Sequence, residues 1–137
     1  MNCVDLRRVY FSENLVGIAS GAFQNCRSLC EFALGNRVFT DGNMRLPSVY
    51  HIDANAFEGC VSIKRVCFTE PLYKIGPCAF RHCTGLLELS IPLTVQYIGD
   101  EAFGGCTGLK RVVISRNFQH DVKRIFGSID ENVIRFI

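Results

Sequence analysis

The side chains best able to do chemistry in this chain are its eight cysteines and three histidines. Cys78-x-x-x-His82-Cys83 has the ligand types of a zinc site. Such a site needs four converging nitrogen or sulfur ligands, and no second cluster stands at a partner spacing. No metal and no cofactor is therefore expected. Cys67, between Val66 and Phe68, falls on the outward side of an alternating stretch and is the candidate reactive thiol. Asp53, Glu58, Asp100 and Glu101 supply carboxylates, but not in a paired-carboxylate motif. A Gly-rich phosphate loop and a Gly-x-Ser-x-Gly elbow are also lacking. These residues point away from catalysis.

Five of the cysteines do something else: Cys3, Cys26, Cys60, Cys83 and Cys106 hold one position of a repeat. IGDEAFGGCTGLKRVVI, from Ile98 to Ile114, recurs 23 residues earlier as IGPCAFRHCTGLLELSI and 23 earlier again as IDANAFEGCVSIKRVCF. IASGAFQNCRSLCEFAL, from Ile18 to Leu34, is a fourth copy, and CVDLRRVYF at Cys3 is half of a fifth. A period in the twenties is the mark of a solenoid. The repeated cysteine then reads as a small, buried packing residue, and not as half of a disulfide framework.

Each copy predicts two elements. Leu-x-x-Val-x-Ile ends in apolar–polar alternation, which is a half-buried strand. Ala-Phe-x-x-Cys puts apolar residues at i, i+1 and i+4, one face of a short helical turn. One unit cannot bury its apolar face alone, but stacked units cover one another. The stretch 35–48, GNRVFTDGNMRLPS, interrupts the period. Its Asp41-Gly42-Asn43 is a turn signal, with Val38, Phe39, Met44 and Leu46 as arms of a small hairpin on a rim loop. After Ser115 the pattern decays, though a 23-residue step from Ala102-Phe103 lands on a worn copy at Ile125-Phe126, with Ile129 at the Cys position. Val122, Ile125, Phe126 and Ile129 stand at helical spacing and predict an amphipathic cap helix, followed by a closing strand over 133–137.

The string Ala-Phe-x-x-Cys-x-x-Leu-x-x-[Val/Ile/Leu]-x-[Ile/Phe], preceded by Ile-Gly, resembles the BspA-like branch of the leucine-rich repeats. The resemblance covers Cys3 to about Ile114. Ala19 and Asp53 depart from it, standing where Gly76 and Gly99 stand in later copies. The gap from Leu34 to Ile52 also exceeds that from Phe68 to Ile75 by 11 residues. The resemblance implies a binding module of the kind found in scaffold proteins and surface adhesins. The expected fold is an α/β solenoid, a leucine-rich-repeat-like stack of about five 23-residue coils. A parallel strand face lies opposite short helical turns, and a C-terminal cap helix closes the stack. The whole chain, 1–137, is one domain, with repeats over 1–114 and the cap over 115–137.

On the strand face, one outward row reads Arg8, Glu31, Arg65, Glu88, Arg111, with alternating sign. Opposite charges on neighbouring strands stabilise register by about 0.2–1 kcal/mol per pair. The next row reads Tyr10, Ala33, Cys67, Ser90, Val113 and carries no charge. A low-charge lane between polar rows suits a protein or peptide partner. The candidate protein-binding residues are Arg8, Tyr10, Glu31, Arg65, Cys67, Glu88 and Arg111 on this face, with Phe39, Met44 and Arg45 as anchors on the 35–48 loop. Aromatic, Met and Arg side chains are the enriched types in interface cores.

The net charge of +2 is small, and the basic residues are scattered, so nucleic acid is not expected as a partner. No run of 18 apolar residues predicts a membrane span. Asp5, Arg7 and Arg8 occupy the place of a signal-peptide core, so a complete chain is expected in the cytoplasm. An excerpt of a longer protein would instead fit the ectodomain of a secreted or surface adhesin. The first strand, 6–11, is an open edge and a candidate for edge-to-edge self-association.

Overall fold

The computed structural model describes residues 3–137. The chain runs through β1 (Arg8–Phe11), β2 (Gly17–Ile18) and β3 (Glu31–Leu34). The stretch that breaks the period forms β4 (Arg37–Phe39) and β5 (Asn43–Arg45). Short and longer strands then alternate: β6 (His51–Ile52), β7 (Arg65–Cys67), β8 (Lys74–Ile75), β9 (Glu88–Ser90), β10 (Tyr97–Ile98) and β11 (Arg111–Ile114). A helical turn, α1 (Val122–Phe126), and β12 (Ile134–Phe136) finish the chain. The longer strands make two sheets, β1-β3-β4 and β12-β11-β9-β7-β5, and the two-residue strands make a third, β10-β8-β6-β2. All pairings are parallel except β3 with β4. This is a parallel-strand β-solenoid of about six turns.

The core is a column of phenylalanines. Phe23, Phe57, Phe80, Phe103 and Phe126 stack with centroids 5.3, 5.2, 5.3 and 5.8 Å apart. Strand spacing is about 4.8 Å, so an offset stack is what one ring per coil produces, and that geometry is favoured for aromatic pairs. The backbone keeps the same step. The N–H groups of Phe23, Phe57, Phe80 and Phe103 donate to the carbonyls of Ala56, Ala79, Ala102 and Ile125, at 2.7, 2.7, 2.7 and 3.0 Å. The inward strand residues Phe32, Val66, Leu89 and Val112 are buried beside this column.

The expected helical turns at Ala-Phe-x-x-Cys are instead tight non-helical turns. The residue before each Ala has positive φ: Gly21 (65°), Asn55 (61°), Cys78 (57°) and Glu101 (54°). So has the residue before each Cys: Asn25 (60°), Gly59 (76°), His82 (61°) and Gly105 (71°). Left-handed residues cannot propagate a right-handed helix. They turn the backbone N–H groups outward, toward the next coil. Among the described residues, the last coil lacks both, since neither Arg124 nor Ser128 is left-handed, and there a five-residue α-turn forms.

That segment is not a separate cap helix. β12 pairs in parallel with β11, Val112 opposite Ile134, and Phe126 extends the phenylalanine column. Residues 115–137 therefore build a sixth turn of the solenoid. Ile125, fully buried, takes the place of the small Ala.

The stretch 35–48 is not a rim loop either. β4 folds back on β3, with Phe32 opposite Phe39. β5 then enters the main sheet beside β7, with Asn43 opposite Arg65 and Arg45 opposite Cys67. Gly42 joins the sheets: its N–H donates to Cys30 O at 2.9 Å, and its carbonyl accepts from Lys64 and Arg65 at 2.8 and 3.1 Å. Its φ of 77° and the backbone of Ser62 against it leave no room for a Cβ. Met44, 1% exposed, is core, and so cannot be an interface anchor.

A strand of the main sheet, unlike a rim loop, makes its inward side chain matter for stability. Met44→Ala should cost about 2–5 kcal/mol and Arg45→Ala no more than about 0.5 kcal/mol, read as urea midpoints. Equal effects would remove β5 from the core sheet.

Candidate binding site on the strand face

β5, β7, β9 and β11 form the floor of an open groove of about 750 Å³. Asn43, Arg65, Glu88 and Arg111 line up as one row, and Arg45, Cys67, Ser90 and Val113 as the next. Phe39 stands at one end, and Phe68, Glu70 and Pro92 at one margin. The rows arise because alternate residues of a strand point to one face, while Met44, Val66, Leu89 and Val112 point inward.

Six of the ten residues expected to bind face this groove, namely Phe39, Arg45, Arg65, Cys67, Glu88 and Arg111, and a seventh, Met44, lies beneath its floor. The other three lie beyond the hairpin, on the β1-β3-β4 sheet. There Arg8 pairs with Glu31 at 2.8 Å and reaches the Tyr10 hydroxyl at 3.3 Å. The expected alternating row is thus broken. Arg8 faces Glu31 and Arg65 faces Glu88, paired at 3.2 Å, but Asn43 stands between Glu31 and Arg65. Ala33, expected in the open lane, is 2% exposed and set opposite Val38 of β4.

Arg37 escaped the sequence reading. Its guanidinium carbon lies 5.1 Å from the Phe39 ring centroid, and that of Arg45 lies 6.0 Å from it. The ring faces two cations, and neither has a carboxylate partner among the described residues. A row of half-exposed tyrosines was also missed. Tyr73 N–H donates to Tyr50 O, and Tyr97 N–H to Tyr73 O, at 2.9 and 3.2 Å. Their spacing of 23 and 24 residues was the available signal.

The reactive-looking groups are mostly occupied. Asp53 pairs with His51 at 2.9 Å and Asp100 with Arg124 at 3.1 Å. Glu58 accepts from Gln24 at 2.7 Å and from Asn55 at 2.8 Å. Of the Cys78–His82–Cys83 cluster, His82 is exposed, while the Cys83 thiol donates to Phe57 O inside the core at 3.1 Å. Cys60 and Cys106 do the same, to Phe23 O and Phe80 O, each at 3.1 Å. The repeated cysteine thus satisfies a carbonyl of the coil before it, beyond merely filling space. Burial raises the Cys26 thiol, pushes Cys60 and Cys106 up to about 12, and pushes Cys83 well up.

This geometry matches known repeat proteins. The model of the BspA type leucine rich repeat region matches residues 1–132, in six copies. The chain belongs to this family. A solved leucine rich repeat protein of T. pallidum is 30% identical over 82% of this chain and 47% of its own, with a TM-score of 0.68. A leucine-rich repeat protein from Bacteroides ovatus covers 99% of this chain at 21% identity, with a TM-score of 0.65, and shares the fold. This chain spans 37% of that one, so both relatives are more than twice as long as the part they share. No curated protein matches. Repeat regions of this family are generally protein-interaction modules and typically non-catalytic.

Two outcomes follow from the thiols. In native protein at pH 8, alkylation should mark Cys67, the exposed one, and spare Cys60, Cys83 and Cys106 until denaturant is added. Peptide mass spectrometry reads this, and equal rates would refute the buried ladder. These thiols have pKa values raised by folding. Stability should therefore be full below about pH 9, the ordinary thiol value, and fall between there and about 12 as the unfolded thiols ionise first. A urea midpoint that rises across that window would contradict the assignment.

Proposed function

We propose that this solenoid is a non-catalytic protein-interaction module, a scaffold element whose partner lies in the groove over β5, β7, β9 and β11. One observation carries the reading: an exposed concave floor on which a rigid sheet holds Arg45, Cys67, Arg65, Glu88 and Arg111 in two rows. A rigid scaffold of this kind binds with little ordering cost. The partner is a protein or peptide. The floor has no stacked aromatic array, which single-stranded nucleic acid would want. Among the described residues no helix is long and apolar enough to cross a membrane.

Compartment belongs to the same proposal. Three of the buried cysteines place their S–H on a carbonyl of the neighbouring coil. That arrangement supports a reducing compartment, such as the cytoplasm, over an exported adhesin. A free-thiol count on protein from its native source checks this, and linked cysteines would favour the adhesin.

The groove is tested by photocrosslinking. A benzophenone maleimide on Cys67 should give discrete adducts in extract of the native source. The same probe on Cys67→Ser/Thr107→Cys, at an exposed position on the turns, should not. Identical adducts from both positions, or none from Cys67, would overturn the groove as the binding surface.

A further inference from the structure

The charges of the groove identify its occupant, given the strand-face reading just proposed. Arg8, Arg65, Arg81 and Arg124 each have a carboxylate partner within the chain. Arg45 and Arg111 line the groove and have none among the described residues, and Arg37 beside Phe39 has only the ring. Glu88 is taken by Arg65. Glu70, exposed at the margin, is the one lining carboxylate left uncommitted. The groove therefore presents unmatched positive charge at both ends, over a neutral middle of Cys67 and Ser90.

We propose that the groove binds an extended acidic peptide segment, laid across the strands, with carboxylates four residues apart at Arg45 and Arg111. Three strand spacings separate β5 from β11, about 14 Å. An extended chain advances about 3.3 Å per residue, so four residues cover about 13 Å. Residues i and i+4 of an extended chain share a face, and the residue between them on that face meets the small side chains of Cys67 and Ser90. Arg45 and Arg111 belong to adjacent rows, so the peptide crosses slightly askew, and the long arginine stems take up the difference. Charge-assisted arginine–carboxylate bonds supply the ends.

The probe is acetyl-Glu-(Thr-Val-Thr-Glu)₂-amide. The controls are the same peptide with Lys for Glu, and one of equal composition with its carboxylates three residues apart. Binding is read by calorimetry and by protection of Cys67 from alkylation, with Cys78, away from the groove, as the internal reference. The acidic probe should protect Cys67 alone. Arg45→Ala and Arg111→Ala, with unchanged urea midpoints, should each weaken binding roughly tenfold. Glu70→Gln should tighten it, and salt should weaken it. Equal protection by the Lys peptide would overturn the acidic preference while leaving the strand face as the binding surface. Equal affinity of the three-residue-spaced control would overturn the stated geometry. If neither charge form protects Cys67, the peptide proposal fails outright, and the Cys67 crosslink then decides the strand face independently.

Discussion

Each coil must repeat its backbone at one strand spacing, and every other feature answers to that step. The carbonyl of Ala56, Ala79 or Ala102 accepts the N–H of the phenylalanine in the coil before it. Glycine at 76 and 99 brings the coils close enough, since a Cβ there would strike the backbone near Ala54 and at Pro77. The phenylalanine rings stack because the backbone has already set their separation. The cysteine thiols find their carbonyls for the same reason. Charge comes last: exposed pairs such as Arg65 with Glu88 contribute at most about 1 kcal/mol, whereas burying a phenylalanine contributes about 1.5–3 kcal/mol.

The sequence reading recovered what periodicity encodes. The Ala-Phe-x-x-Cys and Leu-x-x-Val-x-Ile positions, the inward and outward sides of each strand, and the rows through Arg65, Glu88 and Arg111 all follow from a period of 23 and a period of two. It failed where the backbone departs from common preference. Glycine and asparagine at 21, 25, 55, 59 and 105 hint at left-handed turns, but Cys78 and Glu101 occupy that region against their preference, with their N–H groups bonded to the next coil. The apolar spacing of the turn then mimicked a helix.

The two segments of weakest repetition misled for a different reason. Val38, Phe39, Met44 and Leu46 resemble a hairpin in polarity, and a hairpin does form, but between β3 and β4. Met44 belongs to the next strand, because Gly42 hands the chain back to the main sheet. In the last coil Ile125 and Ile129 stand in place of Ala and Cys, so the worn repeat was legible, but its helical spacing suggested a cap in place of a sixth turn. Of the candidate site, the two rows on the floor were legible. The cation pair facing Phe39 was not, because it depends on β4 lying next to β5, a tertiary relation that no local pattern announces.

The direction of the inter-coil hydrogen bonds carries a mechanical consequence. They lie along the stacking axis, so tension applied along that axis is carried equally by every coil boundary. The longer strands form two separate sheets, joined through Gly42, but β2 with β6 and the Phe23–Phe57 stack bridge the same seam. The interruption of the main sheet therefore leaves the load path unbroken, because it runs through the turns and the two-residue strands.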